Sequence, residues 1–191
     1  MQKSEIRKNI LNVRLTLRQD ELNISQDRLI SKINNKKNFM QSTNVGIYWP
    51  VKNEVDPTKL LTQKNNKIFY LPRLRKDKKL DFIRYTSTTK LIRNKYGIFE
   101  PLVENEDIIS AQELDCVLVP TIAIDNNGNR IGSGGGYYDR TFHFKKNFPT
   151  ARPYLISLIY EFQLIEHIHS EKHDVKCDDM IISNIIYSKN E

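Results

Sequence analysis

The stretch Arg130-Ile-Gly-Ser-Gly-Gly-Gly-Tyr-Tyr-Asp-Arg140 decides how the rest of the chain is interpreted. The protein has seven glycines, and five of them fall between Gly128 and Gly136. Glycine weakens regular structure, but it is useful where the backbone must adopt positive φ or approach a ligand closely. A glycine loop that runs into a helix gathers amide groups that bind anions, helped by the helix dipole. The stretch therefore predicts a phosphate-binding loop followed by a helix from Tyr137 to about Lys146.

The spacing of the glycines excludes two common phosphate-binding motifs. No Gly-Lys-Ser/Thr follows, so the loop is not a P-loop, and the glycines do not have the GxGxxG spacing of a dinucleotide fingerprint. A flexible connector is the alternative interpretation of any glycine-rich turn. Tyr137, Tyr138 and Asp139 argue against it, because bulky aromatic and acidic residues are poor linker material.

Short apolar runs bounded by prolines and turn residues predict the strands of a sheet. The clearest runs are residues 45–50, 68–72, 80–84, 117–120, 122–124, 154–160 and 180–182. Residues 125–129, directly after one of these runs, predict a tight turn with hairpin chemistry. Helical patterns lie between or before them, at residues 3–18, after a cap at Asn23 or Ser25, and at residues 57–63. Strands that alternate with helices are typical of a three-layer α/β/α domain with a mostly parallel mixed sheet. No repeat or linker divides the chain, so we expect residues 1–191 to form a single domain.

Charge is distributed unevenly along the chain. Residues 1–95 carry 22 basic and 8 acidic side chains, whereas residues 96–191 carry 8 basic and 15 acidic ones. A basic half attracts polyanions such as nucleotides, nucleic acid or polyglutamate tails, although a lysine-rich composition also decorates solvent-exposed faces. The first helix carries a basic stripe bordered by apolar residues, formed by Lys3, Arg7, Arg14 and Arg18. The stripe leaves two interpretations open: a binding surface, or long side chains that reach water at the helix edge.

The two cysteines, Cys116 and Cys177, lie far apart and form no CxxC pattern. They indicate a reducing compartment and argue against a zinc site. The amino-terminal segment is charged and amphipathic, no apolar signal region follows it, and no apolar run approaches the length of a membrane span. We therefore expect a cytoplasmic protein with no membrane partner.

At this point the sequence resembles a known family, the 5-formyltetrahydrofolate cyclo-ligases. The glycine stretch, preceded by Val119-Pro120, looks like the signature of that family. Further elements follow the family's order along nearly the whole chain: Lys3-xxx-Arg7, Glu54-Val55-Asp56, Leu71-Pro72-Arg73, Gly97-Ile-Phe-Glu-Pro101 and His173-Asp174. One such element would be a weak signal, but six in this order are specific.

The family converts 5-formyltetrahydrofolate and ATP to 5,10-methenyltetrahydrofolate, ADP and phosphate, with Mg²⁺. The resemblance implies that Tyr138 and Arg130 are catalytic. It also implies an ATP site made of the first helix and the glycine loop, with the residues Lys3, Arg7, Arg130, Ile131, Gly132, Ser133, Gly134, Gly135, Gly136, Tyr137 and Tyr138.

The resemblance also implies contacts to the folate and to the metal. Trp49 and Glu54 would contact the folate, because an aromatic side chain suits the face of a pterin and a carboxylate suits its donor edge. Asp139 and Asp174 are the candidates for Mg²⁺, which takes carboxylates together with phosphates and waters. Ordinary structural roles are the alternatives: core packing for Trp49, a first-turn helix acid for Asp139, and a turn for Asp174.

The chain departs from the family at two positions near the glycine loop. Thr121 follows Pro120 where the family usually has glycine, and Ile124 stands where phenylalanine is common. A β-branched residue cannot adopt glycine's special backbone angles cheaply. Either this position is ordinary extended backbone here, or the loop beside the site is reshaped.

Two other functions compete with the cyclo-ligase hypothesis. One is a basic nucleic-acid-binding module, but the chain has no RNP-type aromatic run, helix-turn-helix signature or zinc knuckle. The other is an ATP-independent sugar-phosphate enzyme of similar architecture, for which fold analogy is weak support. We expect a monomer or weak dimer that acts on 5-formyltetrahydrofolate, with or without a polyglutamate tail, and on ATP, with no nucleic-acid partner.

Overall fold

A computed structural model of the protein describes residues 2–63, 66–102 and 108–184. Its α-helices are α1 (Lys3–Leu15), α2 (Gln19–Asn34), α3 (Lys37–Met40) and α4 (Tyr137–Thr141). Its strands are β1 (Asn44–Gly46), β2 (Ile68–Leu74), β3 (Leu80–Arg84), β4 (Leu91–Arg93), β5 (Phe99–Pro101), β6 (Ile108–Ile109), β7 (Cys116–Pro120), β8 (Ala123–Ile124), β9 (Arg130–Ile131), β10 (Tyr154–Tyr160) and β11 (Asp179–Ser183). Short 3-10 turns cover Thr58–Thr62, Ala111–Glu113, His143–Lys146 and Glu161–Gln163. Within the described ranges, none of the helices is long and apolar enough to cross a membrane.

Seven strands form one mixed sheet in the order β11-β10-β7-β1-β2-β3-β6. The strands from β11 to β2 pair in parallel, and β3 and β6 extend the sheet with antiparallel pairs. The chain runs outward from β1 to β2 and later returns to β7 on the other side of β1. This reversal creates a crevice at the carboxyl ends of β1 and β7, which is where open α/β sheets bind ligands.

The parallel strands are buried on both faces. In β7, Cys116 and Leu118 point into the core beneath α2, whereas Val117 and Val119 point into a second core that contains Phe142. Strands covered on both faces lack polar alternation and read as continuous apolar runs, which is why β7 and β10 were predictable from sequence. The two cores confirm the α/β prediction of a mostly parallel sheet between two layers.

Helix α1 packs outside the main sheet, on the hairpin formed by β8 and β9. Its Ile10 is buried together with Ile122, Ala123 and Ile131 in a third, smaller core. The hairpin is antiparallel, and the turn at residues 125–129 closes it as predicted. Because the glycine loop leaves directly from β9, this small core fixes α1 against the base of the loop.

Several predicted elements have different bounds in the structure, and the segment predicted as a helix at 57–63 is a 3-10 turn. Helix α2 starts at Gln19 rather than after Asn23 or Ser25, because Glu21 accepts a hydrogen bond from the Arg18 amide. Strand β2 continues through proline to Leu74, because its outer half pairs with β3 alone. The helix predicted from 137 to about 146 divides into the five-residue α4 and a 3-10 turn. Such a short helix contributes little dipole to an anion site.

Candidate active site

Two loops lie at the crevice between β1 and β7. The Glu54 loop, residues 50–54, follows β1 and connects Trp49 to the buried Val55. The glycine loop, residues 132–136, follows the β8–β9 hairpin that leaves the end of β7. Both predicted halves of the site, the one for folate and the one for ATP, therefore lie at neighbouring strand ends.

The turn before the glycine loop is fixed by a buried carboxylate and a close backbone contact. Asp125, fully buried, accepts hydrogen bonds from the backbone amides of Asn127 and Asn129. Gly128 has a φ of 77°, and a Cβ placed on it would lie 2.3 Å from the carbonyl oxygen of Cys177. Only glycine fits this approach, so the loop starts from a rigid base.

The glycine loop leaves its amides open, while arginine side chains occupy two of its carbonyls. Arg7 Nε donates to the Gly132 carbonyl at 2.8 Å, and Arg140 Nη1 donates to the Gly135 carbonyl at 2.8 Å. Within the described part of the chain, the amides of residues 132–136 donate to no protein acceptor. Gly134 and Gly136 have φ values of 97° and 67°, which only glycine adopts without strain. Open amides held in such a loop suit an anionic group.

The two predicted metal ligands are each paired with a predicted ATP-binding cation. Arg130 Nη2 donates to Asp139 Oδ1 at 2.9 Å, and the Val175 amide donates to the same oxygen at 3.1 Å. Lys3 Nζ lies 2.7 Å from Asp174 Oδ2. Because Val175 directly follows Asp174, its bond to Asp139 brings the segment that carries Asp174 next to Asp139. Across the described ranges, however, no group of three or more histidine, cysteine or acidic side chains could hold a metal ion.

Arg130 is almost buried, with 8% of its surface exposed. Besides Asp139, its guanidinium contacts the carbonyl oxygen of Val175. In this arrangement Arg130 ties β9 to Asp139 in α4 and to the segment after Asp174. Its position supports the shape of the site, and a direct contact with substrate stays a prediction.

Glu54 is a buried carboxylate, 8% exposed, at the end of the Glu54 loop. Its Oε2 accepts a hydrogen bond from the Val51 amide at 3.1 Å, and its Oε1 lies 3.7 Å from Arg14 Nη2. Burial raises the pKa of Glu54, and the positive charge of Arg14 opposes this rise. A cleft of about 260 Å³ opens beside the loop, between Glu54, Asp56 and Tyr160 on one side and the start of α2 on the other.

Tyr138, in α4 directly after the glycine loop, interacts electrostatically with the Glu54 carboxylate of the other loop. Burial raises the pKa of the Tyr138 hydroxyl, and the negative charge of Glu54 raises it further. A tyrosine with a raised pKa keeps its proton and can donate a hydrogen bond. The catalytic candidate in α4 therefore lies near the predicted folate carboxylate.

Three other predicted residues have the following surroundings. Trp49 is partly buried and packs edge-on against Phe99, with ring centroids 5.7 Å apart, and it does not line the cleft beside Glu54. Ile131 is buried in the third core, so only its backbone can contribute to a site. Tyr137 is partly exposed, and its interaction with Tyr96 in the β4–β5 hairpin raises the pKa of its hydroxyl.

Sequence reasoning missed Arg14. The residue is 1% exposed, although its neighbours on both sides in α1 lie in solvent. Its Nε donates to the Lys52 carbonyl at 2.9 Å. The basic stripe was the signal, but its two interpretations apply to different members: Arg7 and Arg14 turn toward the loops, whereas Arg18 pairs with Asp20 at the surface.

The departure from the family at Thr121 has an ordinary explanation. Thr121 has no positive φ, and its hydroxyl lies 2.8 Å from the hydroxyl of Ser157 in β10. Gln163 Nε2 donates to the Thr121 carbonyl at 2.7 Å. Ile124 is fully buried in β8. Both replacements are therefore accommodated by packing and hydrogen bonds.

Comparisons with known proteins agree with this geometry. Residues 1–183 match the model of the 5-formyltetrahydrofolate cyclo-ligase family. The 5-formyltetrahydrofolate cyclo-ligase of Haemophilus influenzae is 31% identical over 185 residues, which cover 94% of this chain and 97% of that protein. The structure of Aquifex aeolicus 5,10-methenyltetrahydrofolate synthetase superposes with a TM-score of 0.79 at 30% identity, covering 96% of this chain and 90% of that one. That of the Mycoplasma pneumoniae synthetase, at 23% identity and a TM-score of 0.69 over 95% of this chain and 98% of that one, shares the fold.

Proposed function

Because the chain belongs to the 5-formyltetrahydrofolate cyclo-ligase family, we propose which of its residues perform the family's ATP-dependent cyclisation of 5-formyltetrahydrofolate to 5,10-methenyltetrahydrofolate. The observation that carries the assignment is the position of helix α1. Arg7 of this helix contacts the glycine loop, and Arg14, two turns later, contacts the Glu54 loop. One helix thus joins both loops at the switch point of the sheet.

ATP binds through its phosphates to the glycine loop. The open amides of residues 132–136 donate hydrogen bonds to phosphate oxygens. Arg7 and Lys3 neutralise the negative charge of the phosphates. Ile131 contributes its backbone, and Tyr137 and Tyr138 close the carboxyl-terminal side of the loop. Arg130 supports this site by holding Asp139 in place.

The folate binds on the side of the Glu54 loop. Glu54 accepts hydrogen bonds from the donor edge of the pterin, which requires the ionised carboxylate. Trp49, at the other end of the loop, offers an aromatic face next to Phe99. The assignment places the formyl group between the two loops, near Tyr138.

The reaction joins the two substrates in two displacements. The formyl oxygen attacks the γ-phosphorus of ATP, and ADP leaves. N10 of the folate then attacks the formyl carbon and loses its proton, and the carbon–oxygen bond breaks to release phosphate. In this chemistry the protein positions the two substrates and neutralises the charge of the phosphates, and it needs no covalent nucleophile. Tyr138, whose raised pKa keeps it protonated, donates a hydrogen bond to the transferring phosphoryl group.

The surroundings of Asp139 and Asp174 fit a magnesium ion that arrives with ATP. Each carboxylate is paired with a basic side chain, so the two do not form a complete metal cage. Mg²⁺ commonly takes one or two carboxylates and completes its shell with phosphates and waters. Asp139 or Asp174 would hold the ion, and the ion would withdraw charge from the phosphates.

We also propose the wider setting of the enzyme. Residues 1–191 act as one cyclo-ligase domain, as a monomer or weak dimer in the cytoplasm. Two observations support the reducing compartment: Cys116 and Cys177 are both free thiols, and both are buried. The substrate is 5-formyltetrahydrofolate with or without a polyglutamate tail, and no nucleic acid is involved.

The test is a direct assay of the reaction. Purified protein with Mg·ATP and 5-formyltetrahydrofolate should produce the near-ultraviolet absorbance of the methenyl product, and omission of ATP should abolish it. Lack of product at high enzyme concentration, with a known cyclo-ligase active alongside, would refute the proposal. Turnover of a sugar phosphate without ATP would favour the competing enzyme hypothesis, and salt-resistant, sequence-dependent binding to DNA or RNA would favour the nucleic-acid hypothesis.

A further inference from the structure

Arg14 lies buried beneath the Glu54 loop and contacts it through several groups. Its Nε donates to the Lys52 carbonyl at 2.9 Å, and its Nη2 lies 3.5 Å from the Val51 carbonyl oxygen. In return, Asn53 Nδ2 donates to the Arg14 carbonyl at 3.0 Å. The loop and the end of α1 therefore hold each other by both side chain and backbone.

The loop that Arg14 holds is strained. Lys52 and Asn53 have φ values of 49° and 54°, and neither is glycine. Residues other than glycine adopt positive φ at a cost, which is smaller for asparagine than for lysine, and such conformations persist only where the surroundings fix them. The contacts from Arg14 and Asn53 supply that fixation, and Glu54 follows immediately. The direction of the Glu54 carboxylate thus depends on a turn that is not stable on its own.

The guanidinium of Arg14 also has an unused donor beside the carboxylate. Within the described residues, Arg14 Nη1 is buried and has no hydrogen-bond partner. The neighbouring Nη2 lies 3.7 Å from Glu54 Oε1, longer than a hydrogen bond. A buried charged donor without a partner is costly, so its presence calls for an explanation, and a functional acceptor is one. A small movement of Glu54, or a bound acceptor, would satisfy it.

We propose that Arg14 is a positioning residue of the cyclo-ligase reaction: it holds the strained Glu54 loop and keeps the Glu54 carboxylate aimed at the folate. The inference rests on the proposed role of Glu54. Arg14 acts through Glu54, so its loss weakens the use of folate and leaves the glycine loop and ATP unaffected. Arg7, on the same helix, has the opposite assignment.

The electrostatics around Glu54 define a specific signature. The titratable and charged groups that face it are Arg14 from α1, Lys52 on its own loop, Asp56 beyond the loop, Tyr48 after β1, Tyr138 in α4 and Tyr160 at the end of β10. Burial raises the pKa of each of the three tyrosines, so all three are neutral in the acidic range. Arg14 is the charge that opposes the effect of burial on Glu54 most strongly. Folate binding is lost as the pH falls through the pKa of Glu54, so removal of Arg14 should move that loss to higher pH.

The experiment compares Arg14→Gln, Arg14→Lys and the matched surface variant Lys8→Gln, whose side chain is exposed on the same helix. Arg14→Gln should raise the KM for 5-formyltetrahydrofolate about tenfold to a hundredfold, as expected for a lost hydrogen bond to a charged group. The acidic limb of its kcat/KM profile for folate should move to higher pH, while the Kd for ATP changes less than about twofold. Arg14→Lys keeps the positive charge but loses the planar set of guanidinium donors. Its KM for 5-formyltetrahydrofolate should therefore rise, while the acidic limb of its pH profile stays in place. Lys8→Gln should behave as wild type.

Two outcomes would overturn the inference: an acidic limb that does not move in a folded Arg14→Gln, or equal losses for folate and ATP. If Arg14→Gln does not fold, the same comparison is made with Arg14→Lys. A change in the ATP affinity of Arg14→Lys as large as the change in its folate KM would show that Arg14 has a general structural role. Glu54→Gln separates this inference from the proposed function. A raised folate KM in Glu54→Gln with none in Arg14→Gln refutes only Arg14, whereas an unchanged KM in Glu54→Gln refutes the folate assignment itself. In the double variant the two effects should overlap rather than add.

Discussion

The glycine loop and the Glu54 loop lie at adjacent strand ends, and they solve the problem of an unusual backbone in different ways. The glycine loop places glycine wherever φ is positive, as at Gly134 and Gly136, and it lies largely exposed. The Glu54 loop places Lys52 and Asn53 at positive φ and relies on Arg14 to hold them. In the first loop the residue type provides the conformation, and in the second a long-range contact does.

The loops also differ in what they offer a ligand. The glycine loop offers backbone amides, which every residue type except proline possesses, and its conformation is set at Gly128 and by two arginines on its carbonyls. The Glu54 loop offers one buried carboxylate with a buried cation beside it. A site made of backbone amides is expected to lose only part of its ligand affinity when one side chain is replaced. Removal of either partner of a buried charge pair leaves an uncompensated buried charge, so the expected loss is larger.

The largest effect is expected from Glu54→Gln. Removal of the carboxylate takes away the folate contact and leaves Arg14 buried without its counter-charge, so kcat/KM for 5-formyltetrahydrofolate should fall about a hundredfold. The Kd for ATP, measured calorimetrically without folate, should stay within about twofold. Glu166→Gln, a change at an exposed glutamate, serves as the control. A similar loss of ATP affinity would contradict the separation of the two loops.

The next effect, a loss of stability rather than of catalysis, is expected from Gly128→Ala. The new Cβ would lie 2.3 Å from the Cys177 carbonyl oxygen, so the turn must open and the base of the glycine loop must move. The free energy of unfolding should fall by about 2–4 kcal/mol in denaturant titrations, from overpacking and positive φ together. Gly97→Ala is a matched control, because Gly97 has the same φ of 77° and nothing within 4 Å of its added Cβ. Equal losses in both variants would mean that φ alone, and not the contact with Cys177, sets the cost.

The smallest effect is expected from Arg7→Ala. Its Nε holds one carbonyl of the glycine loop, and the amides that would bind phosphate remain. The KM for ATP should therefore rise only about tenfold, the value of one charged hydrogen bond, with folate KM unchanged. Lys8→Ala, on the neighbouring exposed position of α1, controls for the loss of a positive charge. A rise in folate KM as large as that for ATP would show that the contacts of α1 with the two loops do not act independently.

Much of the fold was predictable because its signals are local. The apolar runs of β7 and β10 and the Asn-Asn-Gly turn between β8 and β9 each reflect short-range chemistry, and the structure confirms them. The concentration of glycine in one loop was equally visible. Boundaries were less predictable: α2 begins where the Glu21 side chain accepts a hydrogen bond from the Arg18 amide, and these two residues together carry no strong helix-start signal.

The part of the site that could not be predicted depends on contacts between distant residues. Arg14 and Lys52 are 38 positions apart, and Lys3 and Asp174 are 171 apart. A helical pattern shows that Arg14 lies on a stripe, but only the docking of α1 on the β8–β9 hairpin determines which stripe residues are buried. For the same reason the sequence assigned Asp174 to a metal without revealing that Lys3 is its ion-pair partner.

Helix α1 has a consequence for the geometry of the reaction. Arg7 and Arg14 are seven residues apart, so the helix separates the two loop contacts by about 10.5 Å along its axis and keeps both on nearly the same side. It therefore acts as a spacer of fixed length between the glycine loop and the Glu54 loop. One residue inserted between the two arginines would lengthen the spacer by only about 1.5 Å but would rotate one arginine by about 100° away from its loop. The register of this helix, more than its length, sets how the two loops are held relative to each other.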